Sequence, residues 1–216
     1  MKKLIALIAV AVTAVAVAAA DPLIVIHGFV NLNALGTSWE HASDNDSAFG
    51  AFGDNVSIGG GVGVNIPFAG YFGVQPGVDI YGNRVGTKNS DTGVVYSGSY
   101  VSLDIPLLFT AKVEKWNFQI GPYLSIPLGD LKTTLKSGSS ESSVDRDIES
   151  NVLVGMLFGV GYEERLGLGR LVFGARYMLD FMPLEANISG TRDELFTRRG
   201  LEIDIGYKVP LTFFGG

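Results

Sequence analysis

The chain has 216 residues, of which 47% are hydrophobic and 18% are charged, and its formal net charge is −6. This acidic balance argues against nucleic-acid binding, since proteins that hold phosphate backbones carry an excess of lysine and arginine. The absence of cysteine excludes disulfide bonds and an N-terminal lipid-modified cysteine, and the 29 glycines are unusually many for a soluble domain.

The first twenty residues have the pattern of a secretory signal peptide. Lys2 and Lys3 precede an apolar run, and small residues lead up to Ala20. A cationic start, an apolar centre and a small-residue exit predict cleavage after Ala20, which leaves 21–216 as one exported domain. A retained helical anchor is the alternative, because the apolar run is just long enough to span a bilayer.

A glycine cluster within residues 54–83 resembles a phosphate-binding loop at first sight. A dinucleotide-binding loop requires G-x-G-x-x-G between a strand and a helix. Counted from Gly59 or from Gly61, the third glycine of that motif is replaced by Val64 or Ile66. Apolar residues instead alternate with glycine or polar residues, which is the period of a β-strand. The cluster therefore predicts a hairpin of two strands joined at 67–70.

The same alternation continues along the chain and predicts an all-β fold. Together with the two hairpin strands, it predicts eight strands, the other six at about 23–36, 97–113, 116–128, 151–163, 170–182 and 199–213. Such strands are long enough to cross a bilayer at a tilt, which takes about 9–11 residues. The expected fold is an eight-stranded antiparallel up-and-down transmembrane β-barrel.

The predicted connections differ in length between the two ends of the barrel. Those at 67–70, 114–115 and 164–169 are short, whereas those at 40–53, 83–96, 129–149 and 183–198 are long and polar. Short periplasmic turns and long extracellular loops are typical of outer-membrane barrels. We therefore expect the protein in the cell outer membrane, with both chain ends on the periplasmic side.

Alternation alone leaves open which face meets water, because a soluble barrel would point its apolar face inward. Glycine crowds the polar face, although glycine weakens a water-facing strand. Aromatic residues gather at the ends of the apolar face, as in the interfacial girdles of membrane barrels: Phe68, Phe72, Trp116 and Phe213 near the short turns, Tyr96 and Phe181 near the loops. We therefore predict that the apolar face meets lipid.

Charged residues on the polar face of the predicted strands would lie in the lumen of the barrel. The polar face places nine charged residues in the lumen: Asp79, Asp104, Lys112, Glu163, Arg176, Asp180, Glu202, Asp204 and Lys208. An eight-stranded interior is too narrow for a wide channel, so this set predicts an internal salt-bridge and hydrogen-bond network. A conduction path or proton relay is the alternative.

Four prolines inside the strands, Pro76, Pro106, Pro122 and Pro127, are expected at bulges or near the membrane boundary.

The run SYVSLDIPLLFTAKVEKWNFQIGPYLSIPLG at 99–129 resembles the PorT-like outer-membrane β-barrel family. In that family an "IPLLF"-type strand leads through a tight turn to a "GPY"-type strand, and Pro106 and Pro122 fall on these two motifs. The resemblance implies an eight-stranded barrel of the OmpX/OmpA-like kind, with little shared chemistry.

The last predicted strand also resembles the signal that the barrel assembly machinery reads in outer-membrane proteins. Its pattern of a polar residue, a glycine and two spaced apolar residues is matched by Gly206, Val209 and Leu211. The tail 212–216 departs from the aromatic end of many barrels. The resemblance implies the assembly machinery as a partner during biogenesis.

Candidate chemistry is sparse. Only His27 and His41 could act as a base near neutral pH without a large pKa shift. His41 lies in the first long loop among serine and acidic residues, which leaves a loop-borne hydrolase open, although no spacing is diagnostic. The acidic stretches 44–46 and 145–149 lack the spacing of a calcium loop, so we expect no metal and no cofactor.

The function expected from the sequence is therefore that of an outer-membrane protein without enzymatic activity. Its role would be structural or surface-interacting, since the long extracellular loops, including the serine-rich tip 137–143, are the region that can meet a ligand. A narrow solute or ion pore and a loop-borne hydrolase remain the alternatives.

Overall fold

A computed structural model describes residues 22–33, 38–39, 46–47, 49–150, 152–188 and 191–211. The strands in this part are, in chain order, β1 (Leu23–Leu32), β2 (Ser38–Trp39), β3 (Asp46–Ser47), β4 (Val56–Ala69), β5 (Phe72–Asn89), β6 (Val95–Val113), β7 (Trp116–Ser137), β8 (Ser140–Arg146), β9 (Leu153–Leu166), β10 (Gly169–Asp180), β11 (Leu184–Ile188), β12 (Thr191–Thr197) and β13 (Arg199–Pro210). A short 3-10 helical segment covers Phe49–Asp54.

Eight of these strands close into an antiparallel barrel. Strands β1, β4, β5, β6, β7, β9, β10 and β13 pair in this order, and β13 returns to pair with β1. The predicted fold class is thereby confirmed. Among the described residues, no helix has the length and apolar character needed to cross a membrane.

The apolar face of the barrel points outward, as predicted. Ile58 and Ile205 are 64% and 52% exposed on the outer wall, whereas Asp79 and Glu202 are buried inside. Exposed aromatic side chains mark both ends of the wall, with Trp116 near the short turns. This arrangement matches the two environments that a membrane barrel separates, hydrocarbon outside and a polar interior.

Three of the four connections predicted as long polar loops are largely strand in the structure. Strands β5 and β6 run on to a turn at 90–94, and β7 and β8 form a hairpin that turns at Gly138, so the serine-rich 137–143 tip is mostly strand. The predicted loop at 183–198 is largely the hairpin β11–β12. In these segments the outer face carries mainly polar residues, so the contrast between an apolar and a polar face disappears while the backbone ladder continues. Most of the loop predicted at 40–53 lies outside the described residues.

Pro76, Pro106 and Pro122 create no bulge, so that part of the prediction is wrong for them, whereas Pro127 lies one residue before the register shift between Leu128 and Lys132 of β7. The ladder skips residue pairs beside Pro76 and Pro106 and then resumes in the same register. A proline removes one hydrogen-bond donor but adds no extra residue, so the strand keeps its register. The register shifts that do occur in these strands lie between Pro67 and Ala69 and between Ser99 and Val101.

Inward-facing glycines make room for large side chains from neighbouring strands. A methyl group added at Gly59 would collide with the Phe29 ring and the Ile80 carbonyl oxygen, and one added at Gly155 would collide with the Tyr123 ring. A narrow barrel has little space across its axis. The glycines of the polar face therefore let aromatic and charged residues fill that space.

This fit predicts that Gly59→Ala destabilises the barrel by about 1–3 kcal/mol, because an extra methyl group overpacks a filled interior. Gly28→Ala is the matched control on the next strand, where the nearest atom to an added methyl carbon is the Gly59 carbonyl oxygen at 3.8 Å. Urea unfolding in lipid vesicles, followed by heat-modifiable gel mobility, measures the difference. Equal midpoints for the two variants would contradict this packing role.

Candidate functional site

The barrel interior holds three polar clusters, which we name by their position along the axis. The extracellular cluster surrounds Arg198, the central cluster surrounds Arg176, and the periplasmic cluster surrounds Glu163. Each brings together side chains that are far apart in the sequence, because consecutive strands place alternate residues on one inner wall.

The extracellular cluster ties four barrel strands to one guanidinium group. Arg198 donates to Asn83 Oδ1 at 2.6 Å and to Asp104 Oδ2 at 3.1 Å, and its Nε lies 3.3 Å from Asp180 Oδ2. It also donates to Ser125 Oγ at 3.4 Å. Arg198 is 1% exposed, so its charge is compensated by these two carboxylates and not by water.

Arg198 is absent from the residues predicted for the lumen, because it falls at the end of a segment predicted to be a loop. The sequence nevertheless contains a sign that Arg198 faces inward. Continuing the alternation of the last strand back by one step places Arg198 on the same face as Gly200 and Glu202.

A layer of large side chains separates the extracellular from the central cluster. The Arg198 guanidinium lies 5.4 Å from the centre of the Tyr81 ring and 6.0 Å from that of Tyr123. Both rings belong to a buried group with Phe29, Leu108, Leu157 and Met178. Tyr81 donates through its hydroxyl to Glu202 Oε2 at 2.6 Å, which connects this layer to the central cluster.

The central cluster is a chain of hydrogen bonds around Arg176. Its Nε donates to Glu202 Oε1 at 2.5 Å, and its Nη2 lies 3.2 Å from His27 Nδ1. The other ring nitrogen of His27 lies 2.9 Å from Asp79 Oδ1. Asp204 Oδ1 is 3.9 Å from Arg176 Nε. His27, considered above as a base, is thus held between an acid and an arginine inside the barrel.

The periplasmic cluster joins three cations to one carboxylate. Lys208 donates to Glu163 Oε1 at 2.6 Å, Arg170 donates to Oε2 at 3.2 Å, and Lys112 also donates to Oε2. Asn117 adds a hydrogen bond to Oε1 at 3.0 Å. Formal charges in this cluster therefore sum to a positive excess, whereas the extracellular cluster has two carboxylates for one arginine.

The nine charged residues predicted for the lumen separate into these three clusters. Lys112 and Asp204 are partly exposed, and the other seven are buried: Asp79, Asp104, Glu163, Arg176, Asp180, Glu202 and Lys208. His41 lies outside the described residues. Within the part of the chain that the structure describes, no group of three or more His, Cys, Asp or Glu side chains could hold a metal ion.

An apolar cover lies above the extracellular cluster. Leu184, Ala186 and Phe196 from the hairpin β11–β12 are buried against Val85, Tyr100, Leu131 and Leu153 of the barrel strands. Backbone pairing fixes this hairpin on both sides, since β12 pairs with β2 and Ala186 forms a bridge with Ile148. The hairpin therefore covers the extracellular mouth.

The residues of the predicted assembly signal lie on β13 and directly after it. Gly206 is buried, and a methyl group added there would lie 3.0 Å from the His27 Cβ. Val209 pairs with Ile24 of β1, and the amide of Leu211 donates to the Pro22 carbonyl at 2.8 Å. These three residues thus belong to the seam where the last strand meets the first.

An exposed ion pair at a short turn differs in kind from the buried clusters. Lys115 Nζ lies 2.6 Å from Glu164 Oε2, and both side chains are about half exposed. Hydrogen bonds to Glu164 and Tyr162 raise the pKa of Lys115 above its ordinary value. Solvent screens such a pair, so it contributes little to stability.

The difference between buried and exposed pairs predicts unequal effects on stability. Arg198→Met should lower the free energy of unfolding by about 3–5 kcal/mol, because it leaves the buried Asp104 and Asp180 without a cation. Lys115→Met is the control and should leave the unfolding midpoint unchanged. Urea titration of the folded protein in lipid vesicles measures both variants. An Arg198→Met midpoint equal to that of the wild type would contradict the role of the extracellular cluster.

Comparison with known proteins gives a matching family and several similar solved structures. Residues 25–185 match the family described as Outer membrane protein beta-barrel domain. Solved structures similar to this chain include Neisserial surface protein A (15% identity, 88% of this chain and 96% of that chain, TM-score 0.43). OprG from Pseudomonas aeruginosa is another (12% identity, 89% and 97% covered, TM-score 0.46), and so is Ail of Yersinia pestis (9% identity, 87% and 98% covered, TM-score 0.41).

These structural likenesses are too weak to carry an argument about function, and the search of curated proteins found no match. The family match covers more than half of the chain and coincides with a closed barrel whose apolar wall faces outward. The chain therefore belongs to the outer membrane protein β-barrel domain family and is a protein of the cell outer membrane.

Proposed function

We propose that this protein is a closed outer-membrane barrel, without enzymatic activity, that acts through its extracellular part in a structural or surface-interacting role. Within its family we assign it to the PorT-like group, on the motifs around Pro106 and Pro122. The observation that carries the proposal is a filled interior beneath an extracellular sheet that rises well beyond the apolar wall.

The filled interior argues against passage of solutes. Arg198, Tyr81, Tyr123, Leu108 and Met178 all have side chains that are almost completely buried within the barrel. An eight-stranded barrel has an interior just wide enough for such side chains. Salt bridges and hydrogen bonds hold Arg198 in place. These five side chains therefore block the axis of the barrel as part of its fold.

The extracellular sheet supplies the surface for interaction. Strand β7 continues from Gly129 to Ser137 beyond its apolar stretch, and at ~3.3 Å per residue this part is roughly 30 Å long. Strand β8 returns along it, and every residue from Ser140 to Asp145 is exposed. A hairpin held by backbone pairing loses less conformational entropy on binding than an unpaired loop does, so this exposed hairpin suits contact with a partner.

The proposed partners follow from the surfaces of the barrel. The exposed apolar wall would contact the lipid bilayer, as in other membrane barrels. The seam strand with Gly206, Val209 and Leu211 would be read by the barrel assembly machinery during biogenesis. The acidic net charge argues against a role in nucleic-acid binding.

A narrow ion or proton path is the second candidate, and the central cluster favours it. Asp79, His27, Arg176, Glu202 and Tyr81 are connected by successive hydrogen bonds inside the barrel. Chains of titratable groups of this kind occur in proton relays. A loop-borne hydrolase gains no comparable support, since His27 is enclosed within the barrel and His41 lies outside the described residues.

Planar-bilayer recording separates the closed barrel from the narrow pore. We expect no steady conductance from the wild-type protein, because buried ion pairs and rings occupy its axis. A steady conductance that disappears on Arg176→Ala or Asp104→Ala would establish the pore and overturn the closed-barrel proposal. Heat-modifiable gel mobility of each variant controls for folding.

A trimmed hairpin tests the interaction surface. Deleting 134–136 together with 141–143 removes paired residues from β7 and β8 and keeps the turn around Gly138. We expect the variant to insert and to retain heat-modifiable mobility, since the membrane part is untouched. Binding of cells that display the protein to a panel of purified proteins and polysaccharides should be lost. Binding that survives the deletion would move the interaction away from this hairpin.

A further inference from the structure

The periplasmic end of the barrel contains a cavity of about 570 Å³ that the closed-barrel role leaves unused. It opens at the short turns, since exposed Gly70, Tyr71 and Glu114 line it. Deeper in, it reaches Glu163 and two of that carboxylate's partners, Lys112 and Arg170. A smaller adjoining cavity of about 270 Å³ shares Arg170 and adds Arg165 and Lys208.

The charges around these two cavities do not balance. Four cations, Arg165, Arg170, Lys112 and Lys208, line them together with the carboxylates of Glu163 and Glu114. The larger cavity taken alone is lined by two cations and two carboxylates, and Arg165 and Lys208 at the smaller cavity bring the formal sum over both to +2, in a chain whose net charge is −6. Cations held close together in a partly enclosed space attract an anion, because low-dielectric walls concentrate their field.

The cations also differ in accessibility. The side chain of Lys208 is 2% exposed and is paired with Glu163, whereas the side chains of Lys112 and Arg170 are 33% and 44% exposed. Both accessible cations reach the same carboxylate atom, Glu163 Oε2. One oxygen uses few of the eight donor hydrogens that a lysine and an arginine provide together, so donors remain for an incoming oxyanion.

The wall of the cavity adds a neutral donor. Asn65 Nδ2 donates to Thr110 Oγ1 at 3.2 Å, which leaves the proton of the Thr110 hydroxyl available. Leu23 and Phe72 give the rest of the wall an apolar character. A group of three or four oxygens near the cations, attached to a small organic part along this wall, fits these features.

We propose that this cavity binds a small phosphate or phosphate monoester from the periplasm, held by Lys112 and Arg170. An arginine fork beside a lysine is a common way to hold phosphate oxygens, because charge-assisted hydrogen bonds to them are short and directional. Glu163 holds the two cations beside each other and also competes with an incoming anion for their donor hydrogens, and Glu114 at the rim disfavours more highly charged anions. The site is independent of the extracellular surface proposed above.

Titration calorimetry with the folded mature chain tests the site. The protein is kept in a maltoside detergent, since phosphocholine detergents would compete, and inorganic phosphate is added at constant ionic strength against chloride. We expect saturable binding that weakens about tenfold or more in Lys112→Met and in Arg170→Met, because each loses a charge-assisted contact. Lys115→Met, a lysine outside the cavity and paired with Glu164, should bind as the wild type does.

Glu163→Gln distinguishes a binding site from a purely structural cluster. In a binding site, loss of the competing carboxylate strengthens phosphate binding, and phosphate raises the unfolding temperature of Glu163→Gln more than that of the wild type. In a structural cluster, phosphate has no selective effect on either protein. That second result, or equal binding by Lys115→Met and Arg170→Met, overturns the proposal.

The source of the phosphate is tested by two further ligands. Glycerol phosphate represents a soluble monoester, and short-chain phosphatidic acid in the same micelles represents a lipid headgroup. Competition between glycerol phosphate and inorganic phosphate supports a soluble ligand. Binding of phosphatidic acid alone overturns the assignment to a soluble ligand and indicates a lipid.

Discussion

The structure depends on one constraint, that a chain inside hydrocarbon must satisfy every backbone hydrogen bond within itself. A sheet meets this constraint only by closing, and here β13 pairs with β1 along ten residue pairs to complete the ring. Closure with eight strands makes the interior narrow. Inward glycines such as Gly59 and Gly155, which leave room for neighbouring rings, follow from that narrowness.

A narrow interior also determines how charge can be buried. Water cannot hydrate the guanidinium of Arg198, so Asp104 and Asp180 must lie on two other strands at the correct height. In the central cluster, Glu202 and His27 are the partners of the buried Arg176 guanidinium. Each arginine thus connects strands that are distant in sequence, and a shift of register would separate it from its partners.

The sequence alone predicted the barrel because membrane strands separate two environments. Alternation between hydrocarbon and a polar interior leaves a period of two, which identified eight strands and the outward direction of residues such as Ile58 and Ile205. The period of two does not extend into 83–96 and 129–149. Those segments rise beyond the apolar wall, where the outer face carries polar residues such as Arg84 and Lys132, although Val85 and Leu131 remain buried.

Alternation along each strand is sufficient to predict which of its side chains point into the barrel, since successive residues of a strand face opposite sides. Which side chains contact each other is visible only in the folded barrel: Glu163 binds Lys112, Arg170 and Lys208, and Arg198 lies in the interior. The direction of a side chain is a local property of one strand. Partnership across the axis depends on the tilt and stagger of all eight strands, which closure of the barrel establishes.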